Sequence, residues 1–468
     1  MSNVVDLIDH SAFRGERATG ATNLLQCIWV YNRAIDIDGL RQFHQHLQRG
    51  RLFRRIERSP LPFGRYRWVS PSDQSDVEIV ATPRAREEFE AWLGEQADTP
   101  LDAEHGPGFH LAVLPFTDGG AGVSFVISHT LIDGVGLCEA LADAASGRHD
   151  PISRPAAGSR RRWQAVREDA RQTARDIPDM GRAVVAATRF VWRNRGGDGS
   201  DTRLPGARCS PFVGPDEHVA LPRTTIFIDA DEWDARAHSL GGTSNALLAG
   251  LAARLAQRVG RVAGDGFVTL AIPVNERADG DTRANAITSV DVVVDPTPAT
   301  TDLRKIRATI KHVLIRRQEV PDERFALLPL APLLPQWLIR RMAGVALGGA
   351  TTSGSSNLGA INPAANRLDG SDADLFAMRI LLPGVTKATV DQTGGLLGLL
   401  SGRVHGQVFV SVVAHQPGRP NSNDDLRSDL SSALRDFSLT ATIGGPCPEP
   451  PSGRGRRPLV GAFPFALA

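Results

Sequence analysis

Apolar and polar positions along the chain switch between two periods, about 2 and about 3.6, and the switches outline a mixed α/β protein. Residues 27–35, CIWVYNRAI, are rich in β-branched and aromatic side chains and predict a strand. Residues 38–48 then set Leu40, Phe43 and Leu47 on one helical face, with Asp38 placed to cap its start. In GVSFVISHT, residues 122–130, Val123, Phe125 and Ile127 share one face and Ser124 and Ser128 the other, which is a strand pattern. Leu137 and Leu141 return to helical spacing. The same mixture recurs further on. Strands are expected at 225–229, 266–274 and 287–295. A helix capped by Thr243 or Ser244 should carry Leu247, Leu248, Leu251 and Leu255, with Gly260 just past its end. Ile306, Ile310 and Val313 mark another helix, residues 396–415 a hairpin turning between Gly402 and Gly406, and 424–437 an amphipathic helix.

Between the two mixed zones the pattern changes. Residues 151–195 carry eleven arginines against four acids, and 160–176 and 181–193 each predict a helix. A Gly-, Asp-, Ser- and Pro-rich stretch follows and predicts a linker. Two readings of the basic helices stand: a solvated face beside a linker, or attraction to an anionic membrane surface or a phosphorylated substrate. The chain therefore divides into a first α/β unit at 1–150, a basic helical crossover and linker at 151–214, a second α/β unit at 215–443, and a Pro/Gly/Arg-rich tail at 444–468 expected to be disordered.

Composition narrows the function classes. The 468 residues, 41% hydrophobic, suffice for two domains of ordinary size. A formal net charge of +1 gives no reason to expect nucleic acid as a partner. Cys27, Cys138, Cys209 and Cys447 form no CxxC pair, so neither a zinc site nor a disulfide framework is expected, and a reducing compartment fits. The N-terminal residues hold no apolar signal region, and no run of about 18 apolar residues occurs. A cytoplasmic protein is expected. The longest apolar region, 325–350, is broken by Pro329, Pro332 and Pro335 and carries Arg340 and Arg341. Lobe packing and peripheral contact with lipid droplets or the inner membrane face both suit it.

The chemistry concentrates in SHTLIDG: Ser128, His129, Thr130, Leu131, Ile132, Asp133 and Gly134. A histidine where a strand ends can sit at the mouth of a cleft, and neutral imidazole can take a proton near neutral pH. An alcohol or amine must lose that proton to attack an acyl carbonyl. Asp133 lies past the turn, placed to pair with an arginine and fix the loop, and Gly134 permits a bend into the helix. A partly buried histidine followed by a helix-capping aspartate would give the same string. No third ligand is near for a metal. Gly134 and Gly136 lack the third glycine of a dinucleotide loop, and neither G-x-S-x-G nor a Walker loop is present. No cofactor is expected.

The motif and its surroundings resemble the bacterial wax ester synthase/diacylglycerol acyltransferase family, within the superfamily of peptide-synthetase condensation domains and chloramphenicol acetyltransferase. The superfamily motif is H-H-x-x-x-D-G. Its second histidine matches His129, and Ser128 replaces the first. FRRIERSPLPFGRYRWV (53–69) resembles the family's R-F-R…G…W-V segment, and PLDAEHGPGF (100–109) its P-L-D…P-L-W segment. GTSNALLAGL (242–251) resembles A-T-V-N-D-V-V-L-A, matching Asn245 and placing Ala246 where the family has aspartate. PVNER (273–277) followed by Asn285 resembles P-V-S-L-R…G-N, and SSNLGAINP (355–363) resembles S-N-V-P-G-P.

The resemblance implies two chloramphenicol-acetyltransferase-like lobes in a V shape with an active-site tunnel between them. It implies His129 as general base and Asp133 as partner of an arginine, for which Arg277 is the candidate. Ser128 would donate to a developing oxyanion or fill the missing histidine's space. Asn245, Asn285, Ser356 and Asn357 would line the tunnel. The expected reaction moves an acyl group from acyl-CoA to a hydroxyl of a hydrophobic acceptor such as a long-chain alcohol or diacylglycerol. Two alternatives stay open: a carrier-protein-dependent condensation enzyme forming an ester or amide, and a degenerate member that binds without chemistry.

Overall fold

The computed structural model describes residues 3–71, 75–148, 154–195, 217–278, 280–281, 283–319, 325–339 and 352–444. The expected linker after residue 195, the tail, and residues 340–350 of the apolar region lie outside them, as do Cys209 and Cys447.

A five-stranded sheet organises the first lobe. Its elements in chain order are α1 (Leu7–Thr19), β1 (Leu24–Tyr31), α2 (Ile37–Leu47), β2 (Arg55–Glu57), β3 (Arg67–Val69), β4 (Glu78–Ile79), α3 (Phe89–Ala97), β5 (Phe109–Pro115), β6 (Ala121–Ser128) and α4 (Gly134–Ala145). A long helix, α5 (Arg162–Arg195), leads to the second lobe. There follow β7 (Arg223–Asp229), α6 (Ala230–Ser239), α7 (Ser244–Arg258), β8 (Val268–Asn275), β9 (Ile287–Val294), α8 (Arg304–Glu319), β10 (Ser353–Ala360), β11 (Leu375–Leu381), α9 (Lys387–Gln392), β12 (Leu396–Val404), β13 (Gln407–His415), α10 (Asn423–Asp436) and β14 (Thr442–Ile443). The first sheet runs β11-β1-β6-β5-β4 and the second β14-β7-β13-β12-β10-β8-β9.

Both faces of the central strands are covered, so every residue of β1 and β6 is buried. Val123, Phe125 and Ile127 face the core under α2 and α4, as their alternation predicts. The serine face is buried too. Ser124 Oγ accepts from Gln26 Nε2 at 2.9 Å, and Gln26 Nε2 also donates to the Leu93 carbonyl of α3 at 3.0 Å. Alternation thus marked a polar pair that is satisfied internally, not a wet face.

Several boundaries differ from the sequence expectation. β1 starts three residues early and stops at Tyr31, where Asn32 N–H donates to Asp374 at 2.6 Å. Asp36, not Asp38, caps α2, accepting from Asp38 N at 3.0 Å. The two basic helices are one, because α5 passes through Pro178 unbroken. Pro178 and Ala174, whose carbonyl it leaves unpaired, lie on the exposed side, where water can take the bond. Thr243 caps α7, and Gly260 beyond it adopts a φ of 80°. The β12–β13 hairpin turns at His405 and Gly406, both with positive φ (47° and 72°), the twist-matched two-residue turn. The start of the apolar region is a 3₁₀ run, Phe325–Leu333, braced by Arg14 of α1, which donates to the carbonyls of Ala331 at 2.7 Å and Pro332 at 2.8 Å. No helix among the described residues is long and apolar enough to cross a membrane.

One strand disregards the division drawn along the chain. β11, within the stretch expected to build the second lobe, pairs with β1 and completes the first sheet. Its Phe376 packs on Trp29 of β1 (ring centroids 5.2 Å apart) and on Phe409 of β13 (5.8 Å), so the two lobes share a hydrophobic core at this seam.

Candidate active site

His129 directly follows β6 and is half-buried. Both ends of its backbone are held: its N–H donates to the Asn23 carbonyl at 2.8 Å, and its carbonyl accepts from Asn285 Nδ2 at 3.1 Å. Burial pushes the imidazole pKa below its usual value, while its own backbone, the Asp133 charge and Asn285 pull the other way. The ring is therefore neutral at pH 7 and able to accept a proton.

Asp133 performs both roles that its position in the sequence suggested. It is the N-cap of α4, with Oδ1 accepting from Gly136 N at 2.7 Å. Its Oδ2 accepts from Arg277 Nη2 at 2.6 Å and from Ala286 N at 2.8 Å. The ion pair is almost sealed, with side chains 1% and 3% exposed. Arg277 is held further by the carbonyls of Ala284 at 3.0 Å and Arg283 at 3.2 Å. These bonds lock the motif loop of the first lobe to the 283–286 loop of the second.

A second carboxylate, Asp9 of α1, grips the same loop. It is fully buried, and it accepts from Ala284 N at 3.0 Å, Asn285 N at 2.9 Å and Asn285 Nδ2 at 3.0 Å. Three consecutive N–H groups, of Ala284, Asn285 and Ala286, thus end on two carboxylates from the first lobe. Burial raises the Asp9 pKa to about 6, against the pull of Arg54 and of its hydrogen bonds. An acid with a raised folded pKa adds stability that is full below the unfolded value of 3.8 and is lost as pH rises through about 6. Ionised Asp9 therefore costs the fold stability at neutral pH while supplying the acceptors that fix Asn285. Arg54 is fully enclosed as well. It donates Nε to the Leu131 carbonyl at 3.1 Å, and burial drives its pKa down to about 9.

These shifts fix a pH profile. With His129 neutral and Asp9 ionised in the active form, turnover is expected to hold at pH 7 and to fall as pH drops through about 6, the Asp9 value. A rate profile with its acid midpoint above 6.5 would contradict the assignment.

The remaining motif residues are placed as follows. Ser128 is buried, and its hydroxyl pairs with Thr130 Oγ1, which donates to Glu16 Oε2 of α1 at 2.8 Å. With the Thr130 proton on Glu16, the Ser128 proton goes to Thr130, which ties Ser128 to α1 in the space of the motif's first histidine. Gly134 begins α4 without a left-handed φ, so no special bend requires it. Its lack of a side chain matters instead, because a Cβ there would come within 2.9 Å of Leu358. Leu358 follows Ser356 and Asn357 on β10, so this segment does reach the motif. Asn357 closes a turn, its Oδ1 accepting from Gly359 N at 2.8 Å. Asn285, expected to line a tunnel, spends both amide protons on Asp9 and the His129 carbonyl. Asn245 is exposed in the first turn of α7, and no bond among the described residues ties it to His129.

Asp9, Glu16, Arg54 and Gly136 were not legible as site residues. Gly136 alone carried a signal, its spacing from Gly134. A Cβ at Gly136 would meet Arg277 Nη2 at 2.9 Å and Ile132 at 2.8 Å. Gly136→Ala is expected to displace Arg277 from Asp133, lowering both the melting temperature and turnover. Unchanged melting would show that the guanidinium can move aside freely.

The described residues hold no cluster of His, Cys, Asp and Glu suited to a metal, and Cys27 and Cys138 are buried free thiols. The chain matches no protein-family model and no curated relative by sequence. Its fold does match solved structures. The first condensation domain of the calcium-dependent antibiotic synthetase, solved with a substrate analogue, superposes with a TM-score of 0.55 at 15% identity, covering 94% of this chain and 96% of that one. Polyketide synthase associated protein 5 from Mycobacterium tuberculosis gives 0.52 at 15%, covering 93% and 98%. A variant starter condensation domain of rhizomide synthetase, solved with C8-CoA, gives 0.52 at 14%, covering 94% and 95%. The architecture is accordingly the two-lobed condensation-domain fold.

Proposed function

We propose that this protein is an acyltransferase that takes its acyl group from a thioester and uses His129 as general base. The observation that carries the reading is the state of His129: a half-buried, neutral imidazole at a strand end, with its backbone held by Asn23 on one side and by Asn285 of the other lobe on the other.

In the proposed reaction His129 removes the proton from an acceptor hydroxyl or amine as its oxygen or nitrogen attacks the thioester carbonyl. The C–S bond breaks, and the imidazolium returns the proton to the departing thiolate. The products are an ester or amide and a free thiol, and no cofactor enters the balance. Asp133, Arg277 and Asp9 act by position, holding the loops on which His129 and Asn285 sit. Ser356 and Asn357, carried to the motif by β10, are proposed to contact the thioester. The finer assignment is acyl-CoA as donor and a hydrophobic alcohol or diacylglycerol as acceptor. A carrier-protein thioester is the second reading, favoured by the fold it shares with synthetase condensation domains.

Thiol release tests both. Purified protein is mixed with acyl-CoAs and with hydroxyl or amine acceptors, and free thiol is followed with a chromogenic disulfide. Acceptor-dependent release supports the CoA reading. Release only from acyl-carrier protein supports the second, and silence with both donors would refute acyl transfer.

A further inference from the structure

On the β11 face opposite the shared core, two arginines from different lobes meet, and among the described residues only Arg379 is ion-paired. Arg379 of β11 has a side chain only 3% exposed. It donates Nε to Gln26 Oε1 at 2.7 Å and Nη1 to Glu90 Oε1 of α3 at 2.6 Å, but its buried Nη2 has no partner. Arg223 opens β7 in the second sheet, and its Nη2 would lie 3.2 Å from a Cβ on Gly94, one turn along α3 from Glu90. No hydrogen bond or ion pair engages the Arg223 guanidinium among the described residues. Burial pushes its pKa down and Arg379 pushes the same way, against Glu90 and Asp98. Both arginines line one small open cleft together with Thr224, Leu400, Ser411 and Val413.

An enclosed guanidinium with an unused N–H beside a second unpaired guanidinium is costly unless an anion completes it. The planar forks suit an oxyanion, which can accept from both at once. We infer that Arg379 and Arg223 form a binding site for a small oxyanion, a phosphate or carboxylate group, at the junction of the two lobes. Its occupant ties β7 of the second sheet to β11 of the first. The site shares none of the residues that contact His129, and the inference does not depend on acyl transfer.

The test uses the full chain and inorganic phosphate at constant ionic strength, read by calorimetric binding and by melting temperature. Wild type should bind phosphate saturably and melt higher with it. Arg223→Gln should bind at least about tenfold more weakly, the loss of one charge-assisted hydrogen bond. Without phosphate it should melt no lower than wild type, because a surplus charge is gone. Glu90→Gln, which removes the competing carboxylate, should bind phosphate more tightly. Equal binding by wild type and Arg223→Gln, or no saturable binding by wild type, would overturn the site. A lower melting temperature of phosphate-free Arg223→Gln would make the arginine a structural group and would likewise overturn it. Competition by 4′-phosphopantetheine but not by pantetheine would assign the oxyanion to a thioester donor's arm; competition by neither would leave a free oxyanion as occupant.

Discussion

Alanine at His129 is expected to lower acyl-transfer turnover by about 10²–10⁴-fold, the usual worth of a positioned general base, while leaving the melting transition where it is. The two halves of that expectation have separate causes. The ring is half-buried, and the bonds that organise this position, to the Asn23 carbonyl and from Asn285 Nδ2, are made by the backbone of residue 129 and survive the substitution. His129→Gln gives a second variant that keeps polarity and much of the volume but cannot carry the proton. Thiol release and thermal melting measured side by side decide the matter. A variant that is folded and fully active removes His129 from the mechanism.

Asp133 should behave in the opposite way. Asp133→Ala removes the α4 cap, the Ala286 acceptor and, among the described residues, the only carboxylate bonded to Arg277, whose side chain is 3% exposed. Breaking a buried pair from one side typically costs about 3–5 kcal/mol, because the surviving charge remains in place without compensation. That is a large share of the stability of an ordinary domain, so a lower yield and a lower melting temperature are expected together with lost turnover. Removing both charges, as Asp133→Asn with Arg277→Met, should recover part of the stability and none of the activity. If Asp133→Ala melts like wild type and only the rate falls, the carboxylate is acting in the chemistry and not in holding the lobes together.

The elements and the motif were readable because they rest on local spacing. Alternation located β6, the leucines of α7 located that helix, and Gly402 to Gly406 bracketed the β12–β13 turn. The pairing of Asp133 with Arg277 came from the resemblance to a known family, and the structure places the two in contact. Other features are properties of three dimensions. Asp9 meets Asn285 across most of the chain, and no pattern near Asp9 marks a buried carboxylate. Asp36 displaced Asp38 as a cap because the helix start is settled by backbone geometry and by packing of Leu40 and Phe43, where two aspartates two residues apart look equivalent. Asn285, expected at a tunnel position, has its side-chain amide tied to the His129 backbone and to Asp9.

The register of β11 bears on how the chain is made. Leu24 pairs with Leu381, so the strand in contact with β6 gains its other neighbour only after most of the polypeptide has been synthesised. During translation the emerging N-terminal portion must keep an edge of alternating Cys27, Trp29 and Tyr31 unpaired, an invitation to intermolecular pairing. Such long-range closure makes for slow folding. It also means that neither lobe is a module that recombination could exchange intact: a chimera joined between the lobes would inherit a sheet from one parent and its finishing strand from the other.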